Sequence, residues 1–108
     1  MKRNNPSDIE RRSSARVPVG EEVKICEGNL FFSGTALNVS EKGMFIGTKK
    51  YFPREAISLI VMRIKDRLFK LPAKIKRSTL QTGFYDGIGV ELIDPPRDYL
   101  DFLNYWKR

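Results

Sequence analysis

Histidine is missing from this chain, and cysteine occurs once, as Cys26. Without an imidazole, the commonest general base and metal ligand is gone. Cys26 has no histidine to activate it as a nucleophile, and a Cys/His metal cluster cannot be built. A single cysteine closes no internal disulfide, which agrees with a reducing cytoplasm. Long apolar runs are lacking too: no stretch approaches the ~18 residues that a membrane-spanning helix needs. The first residues, MKRNNPSDIERR, are polar and lead into no apolar segment, so no secretory signal is expected. Neither a GxGxxG nor a Walker-type glycine loop is found. These absences point away from an enzyme, and no catalytic residue, metal or cofactor is expected.

What remains is a chain of 108 residues, 41% of them hydrophobic, which suits one compact domain with a modest core. Its net charge is +7. A basic surface attracts nucleotides, nucleic acid, acidic lipids or acidic proteins, and charge alone does not choose among them.

The polarity changes along the chain. Residues 1–19 are rich in Asn, Ser, Arg and Pro and read as a flexible basic arm. Residues 20–108 read as the folded domain. Strand-like runs are expected at Glu22–Cys26, Leu30–Val39, Gly43–Thr48, Ala56–Ile64, Leu68–Arg77 and Ile88–Ile93. Glu27-Gly28-Asn29 and Lys65-Asp66 are the hairpin turns. Asn38–Gly43 reads as a polar loop, and a second loop runs through Gly83 and Asp86. Phe69, Leu71, Ala73 and Ile75 alternate with Lys70, Lys74 and Lys76, the pattern of a strand buried on one face. Pro72 predicts an edge or a bulge there. Asp94 with Pro95 and Pro96 predicts a helix start, and Tyr99, Phe102, Leu103 and Trp106 share one helical face that is expected to pack on the domain. Lys107 and Arg108 suit the negative end of that helix. Six strands and one C-terminal helix predict a mostly β fold, a six-stranded antiparallel β-barrel whose closure removes exposed edges.

Two motifs carry the chemistry. Arg12-Ser-Ser-Ala-Arg16 is an RxxxR preceded by Arg11, and Asn38-Val-Ser40-Glu-Lys-Gly43 is an NxSxxG. At this arginine content, about one RxxxR arises by chance, whereas the NxSxxG is expected roughly 0.05 times. Arg63 and Arg67 form a second RxxxR, read as a solvated feature of the hairpin. By itself the NxSxxG is also explained by an Asx-turn, with Asn38 and Ser40 bonding their own backbone and Gly43 at positive φ.

Together and in this order, the two motifs resemble the PilZ domain family. Gly-Ile-Gly-Val-Glu-Leu at 87–92 and the closing helix add to the resemblance, which extends over nearly the whole chain. It implies a six-stranded barrel that binds the second messenger cyclic di-GMP, with Arg12 and Arg16 in the RxxxR positions and Asn38, Ser40 and Gly43 in those of the second motif. The chemistry suits such a ligand. A guanidinium forks onto phosphate oxygens or onto guanine O6 and N7, and also stacks flat on a purine; lysine supplies charge alone. Asn38 can bond a guanine edge, Ser40 offers a short hydroxyl, and Gly43 permits close approach. In this family the residue before the RxxxR influences ligand stoichiometry, so Arg11 favours an intercalated ligand dimer. Arg77 is a further candidate; an exposed arginine at the barrel end explains it equally well.

The leading expectation is a cytoplasmic receptor whose arm closes over ligand seated at the barrel loop and creates a surface read by a downstream protein. A chain of this length leaves output to another protein or to self-association. The alternative is an OB-like barrel binding single-stranded nucleic acid, with Phe31, Phe32, Phe45 and Phe69 as stacking platforms. The concentration of arginine in the arm and the apolar setting of these aromatics make nucleic acid the weaker expectation.

Overall fold

A computed structural model describes residues 16–81 and 83–106. Its strands are β1 (Val17–Glu27), β2 (Leu30–Val39), β3 (Gly43–Gly47), β4 (Ile57–Ile64), β5 (Arg67–Gln81) and β6 (Phe84–Leu92), followed by helix α1 (Arg97–Trp106). All neighbours pair antiparallel, and the sheet closes in the order β1-β2-β3-β6-β5-β4, with β4 returning to β1. The barrel expected from the strand count is the one that forms.

Alternation explains the wall. Val23 and Ile25 of β1, Ser58, Ile60, Met62 and Ile64 of β4, and Phe69, Leu71, Ala73 and Ile75 of β5 are buried, while their neighbours face out. Each fully buried aliphatic or aromatic side chain of this kind contributes about 1.5–3 kcal/mol through removal from water. Two-residue turns join β1 to β2 at Gly28-Asn29 and β4 to β5 at Lys65-Asp66, with Gly28 at φ 62° and Lys65 at φ 57°. Helix α1 closes the barrel with Tyr99 and Leu103 buried; Tyr99 meets Phe69 edge-on at 5.8 Å, and Phe102 lies 5.5 Å from the same ring. Its stripe is core packing, as its spacing predicts.

Several boundaries differ from the sequence reading. β1 begins at Val17, so Val17–Val19, which composition assigns to the arm, are strand. Pro18 hides the pattern, but pairing with Asn38 extends the ladder, and Val17 and Val19 pack against the core. The Asn38–Gly43 loop shrinks to three residues, because Asn38 and Val39 pair with Phe45 and Met44 of β3. The loop expected through Gly83 and Asp86 is mostly strand: β5 runs 15 residues to Gln81, and β6 starts at Phe84. Pro72 stands on neither an edge nor a bulge. The β5–β6 ladder starts one residue later, at Ala73, so the missing N–H lies beyond its end. The Pro72 carbonyl accepts from the Ile93 amide at 2.8 Å. Asp94 does not cap α1. It is left-handed at φ 52°, and the helix's first turn is closed by the Tyr99 and Leu100 amides donating to the Pro96 carbonyl. Lys107 and Arg108 lie outside the described residues.

Candidate functional site

The β1–β2 hairpin decides which parts of the two motifs meet. Counting back from its turn, Val17 pairs with Val39 and Pro18 with Asn38, after a one-residue shift between Pro18 and Glu21. Arg16, one residue before β1, therefore arrives beside the NxSxxG loop. Its Nη1 donates to Asn38 Oδ1 at 2.6 Å. An arginine and an asparagine 22 positions apart become one unit through strand register alone.

The loop is held from within. Ser40 is 3% exposed, and its Oγ donates to the Gly43 carbonyl at 3.2 Å while accepting from the Gly43 amide at 3.1 Å and the Lys42 amide at 3.3 Å. The Ser40 amide also donates to the Gly43 carbonyl at 2.8 Å. From the helix side, the Tyr99 hydroxyl donates to the Ser40 carbonyl at 3.1 Å. The Ser40 hydroxyl thus shapes the loop. The Asx-turn reading puts Gly43 at positive φ; the positive-φ glycines among the described residues are instead Gly28 and Gly83. Gly43 is required for a different reason: a Cβ there would lie 2.4 Å from the Val90 carbonyl oxygen.

Outside this loop lies an open groove of about 370 Å³, formed where β3, β5 and β6 run side by side. Arg16, Lys42, Lys76 and Arg77 supply its cations, and Glu91 is its one carboxylate. Ser40, Gly43, Gly89 and Val90 complete the wall. Gly89 makes room for Arg77, since a Cβ on Gly89 would meet Arg77 Nε at 3.1 Å. Lys76 is shared: its Nζ lies 3.2 Å from Glu55 and 3.8 Å from Glu91, and Lys74 also reaches Glu55 at 3.5 Å. The hydrogen bond from Lys76 is the main cause holding the Glu55 carboxyl below the ordinary carboxylate range. Burial pushes the Tyr99 hydroxyl well above the ordinary phenol range, so it remains a donor to Ser40 at neutral pH.

Of the residues singled out in the sequence, the groove gathers Arg16, Ser40, Gly43 and Arg77, and Asn38 joins through Arg16. Arg11 and Arg12 lie outside the described residues. Lys42, Lys76, Gly89 and Glu91 are additions. Lys42 sits inside the NxSxxG, and Gly89 and Glu91 inside the Gly-Ile-Gly-Val-Glu-Leu run, so both segments were visible although these roles were not. The arrangement suits an anion: four cations stand against one carboxylate, and one of them, Arg16, is already oriented by the Asn38 side-chain amide. No group of three or more His, Cys, Asp or Glu able to hold a metal occurs among the described residues. None of their helices is long and apolar enough to cross a membrane.

The PilZ domain family model matches residues 10–105. Among solved structures, the inhibitor of motility MotI/DgrA of Bacillus subtilis superimposes with a TM-score of 0.77 at 17% identity, covering 91% of this chain and 50% of that one. The chain therefore spans half the length of that protein. The PilZ domain of CeSA from a cellulose-synthesizing bacterium superimposes with a TM-score of 0.59 at 22% identity, covering 75% of this chain and 83% of that domain. At these identities the likeness is one of fold. No curated protein matches the chain in sequence.

Proposed function

The chain belongs to the PilZ domain family, whose ligand is cyclic di-GMP, and we propose that the groove beside the NxSxxG loop is where this member binds it. The observation that carries the reading is the Arg16–Asn38 hydrogen bond at the mouth of a groove with four cations and one carboxylate. Arg16 and Arg77 are placed to fork onto a phosphate or a guanine edge, and Asn38 orients the first of them. Ser40 and Gly43 act through shape, by keeping the loop tight against β6. Arg12 and Arg11 complete the reading from the arm: Arg12 closes over the ligand, and Arg11 stacks on a second guanine, so that an intercalated ligand pair is bound. The role is that of a receptor rather than a catalyst. It acts in the cytoplasm, where its messenger is found, and ligand closure of the arm presents a surface to a downstream protein.

The nucleic-acid reading loses its platform. Phe69 is buried, Phe32 packs edge-on against Phe52 at 5.5 Å with Lys50 over its ring, and Phe45 fills the space above Gly87. Of the four aromatics, only Phe31 is well exposed. Calorimetric titration with cyclic di-GMP, on the unaltered chain and on Arg16→Ala, tests the proposal. Saturable binding that Arg16→Ala weakens supports it, and absence of binding refutes it.

A further inference from the structure

The outer wall of the barrel carries an apolar row that the groove does not use. Register places Phe31 opposite Cys26, Cys26 opposite Leu59, and Leu59 opposite Pro72. Residues opposed in this way point to the same side of a sheet, and the buried Ile25, Ile60 and Leu71 beside them fix that side as the outside. The row therefore crosses β2, β1, β4 and β5 without a polar side chain. Two neighbours widen it. Ile57 lies one outward position along β4 from Leu59 and is 57% exposed, and Ile93, whose amide bonds Pro72, is 39% exposed. Phe31 is 70% exposed. The outward positions of neighbouring rows are not like this: Ser33, Lys24, Val61 and Lys70 form the next row on one side, and Lys74 stands between Ile57 and Glu91 on the other.

Isolated apolar residues on a surface are ordinary, but a contiguous row rimmed by charge marks an interaction site. We propose that this strip docks an amphipathic helix of a partner protein, with its apolar stripe along the row and acidic side chains facing Lys24 and Lys70. Charge complementarity selects the occupant. Lys24 and Lys70 flank the row on one side, and a chain of net charge +7 repels a second copy of itself. Glu55 and Glu91, next to Lys74, disfavour an anionic lipid surface at that border. Length agrees as well. Three strand spacings of about 4.8 Å carry the row over about 14 Å, and helix positions i, i+4, i+7 and i+11 extend about 16 Å. Phe31 is the natural anchor, since exposed aromatics dominate interface energies. Docking on the barrel wall does not require the groove to be filled.

The probe is a labelled helical peptide of about 14 residues with leucines at those four spacings and glutamates flanking them. A twin carries lysine in place of glutamate. Fluorescence anisotropy against the intact chain is expected to show binding of the acidic peptide and not of the lysine twin. Phe31→Ser with Ile57→Ser should weaken it by about tenfold or more, and Tyr105→Ser, an exposed aromatic off the strip, should not. Failure of the acidic peptide to bind, equal binding of the two peptides, or indifference to Phe31→Ser with Ile57→Ser overturns the proposal. So does a Phe31-dependent dimer in sedimentation, or Phe31-dependent binding to phosphatidylserine vesicles, since either assigns the strip to another occupant.

Discussion

Arg16 Nη1 and Asn38 Oδ1 lie 2.6 Å apart, so the second arginine of one motif and the first residue of the other form a single hydrogen-bonded pair. The pair is partly exposed, so its worth to folding is small, and its effect is to hold a guanidinium in one orientation at the groove. Asn38→Ala should therefore leave the unfolding midpoint nearly unchanged and weaken cyclic di-GMP binding. The expected loss is about 1–2 kcal/mol, or roughly five- to thirtyfold in affinity, for a hydrogen bond to a charged group. Calorimetry alongside thermal unfolding checks both halves.

Gly43→Ala should fail by a different route. The added methyl would stand 2.4 Å from the Val90 carbonyl oxygen, which belongs to a paired strand and is not free to move aside. Overpacking of this kind costs about 1–3 kcal/mol. Denaturant unfolding without ligand should show that loss directly, separating a steric role for Gly43 from contact with the ligand.

Tyr99→Phe removes the hydroxyl that satisfies the Ser40 carbonyl, at about 1 kcal/mol. It also carries a pH signature. The folded-state pKa of Tyr99 is raised above its unfolded value near 10. The neutral form is therefore favoured by folding, and its contribution is complete below pH 10 and fades as pH rises beyond it. The stability gap between the native chain and Tyr99→Phe should be constant from pH 7 to about pH 9 and narrow above pH 10. A gap that stays constant through that upper range would show that the Tyr99 hydroxyl does not bear on the folded state as described.

Glu55 holds Lys76, which lines the groove, and Lys74 by ion pairs. Glu55→Gln should release Lys76 toward an anionic ligand and tighten cyclic di-GMP binding by a few-fold, most clearly at low salt. Because Glu55 is exposed, stability should barely change. Titrations at low and high ionic strength separate this effect from a change in the loop.

The parts legible in the sequence were those where a single periodicity ruled. Phe69, Leu71, Ala73 and Ile75 announce β5, and Tyr99, Phe102, Leu103 and Trp106 announce α1. Legibility failed where local chemistry competed with pairing. Pro18 and Pro72 look like breaks but occupy positions where the ladder tolerates a missing amide, and Asp86 looks like loop but stands at an irregularity within β6, between Tyr85 and Gly87, which pair with Leu80 and Thr79 of β5. The site followed the same division. Motif residues stood out by spacing, whereas Lys42, Lys76 and Glu91 resemble any solvated charge until closure of the barrel sets β3, β5 and β6 side by side. Arg77 needed Gly89, on the next strand, before its side chain had a place to lie.

In the proposed mode of binding, the arm sets the stoichiometry. Arg11→Ala should convert binding of a stacked ligand pair into binding of a single ligand per chain, while Arg12→Ala should lower affinity without changing the ratio. Analytical ultracentrifugation with ligand absorbance provides the ratio independently of heat.

In the proposed function, this PilZ barrel captures cyclic di-GMP in the groove that Arg16 borders. Isothermal titration of the intact chain, run in parallel with Arg16→Ala, addresses it most directly. The expected result is saturable binding by the unaltered chain and a loss of roughly ten- to a hundredfold in Arg16→Ala, as follows when a charged donor to phosphate or guanine is deleted. An unaltered chain that takes up no ligand, or an Arg16→Ala chain that binds as tightly, would contradict it.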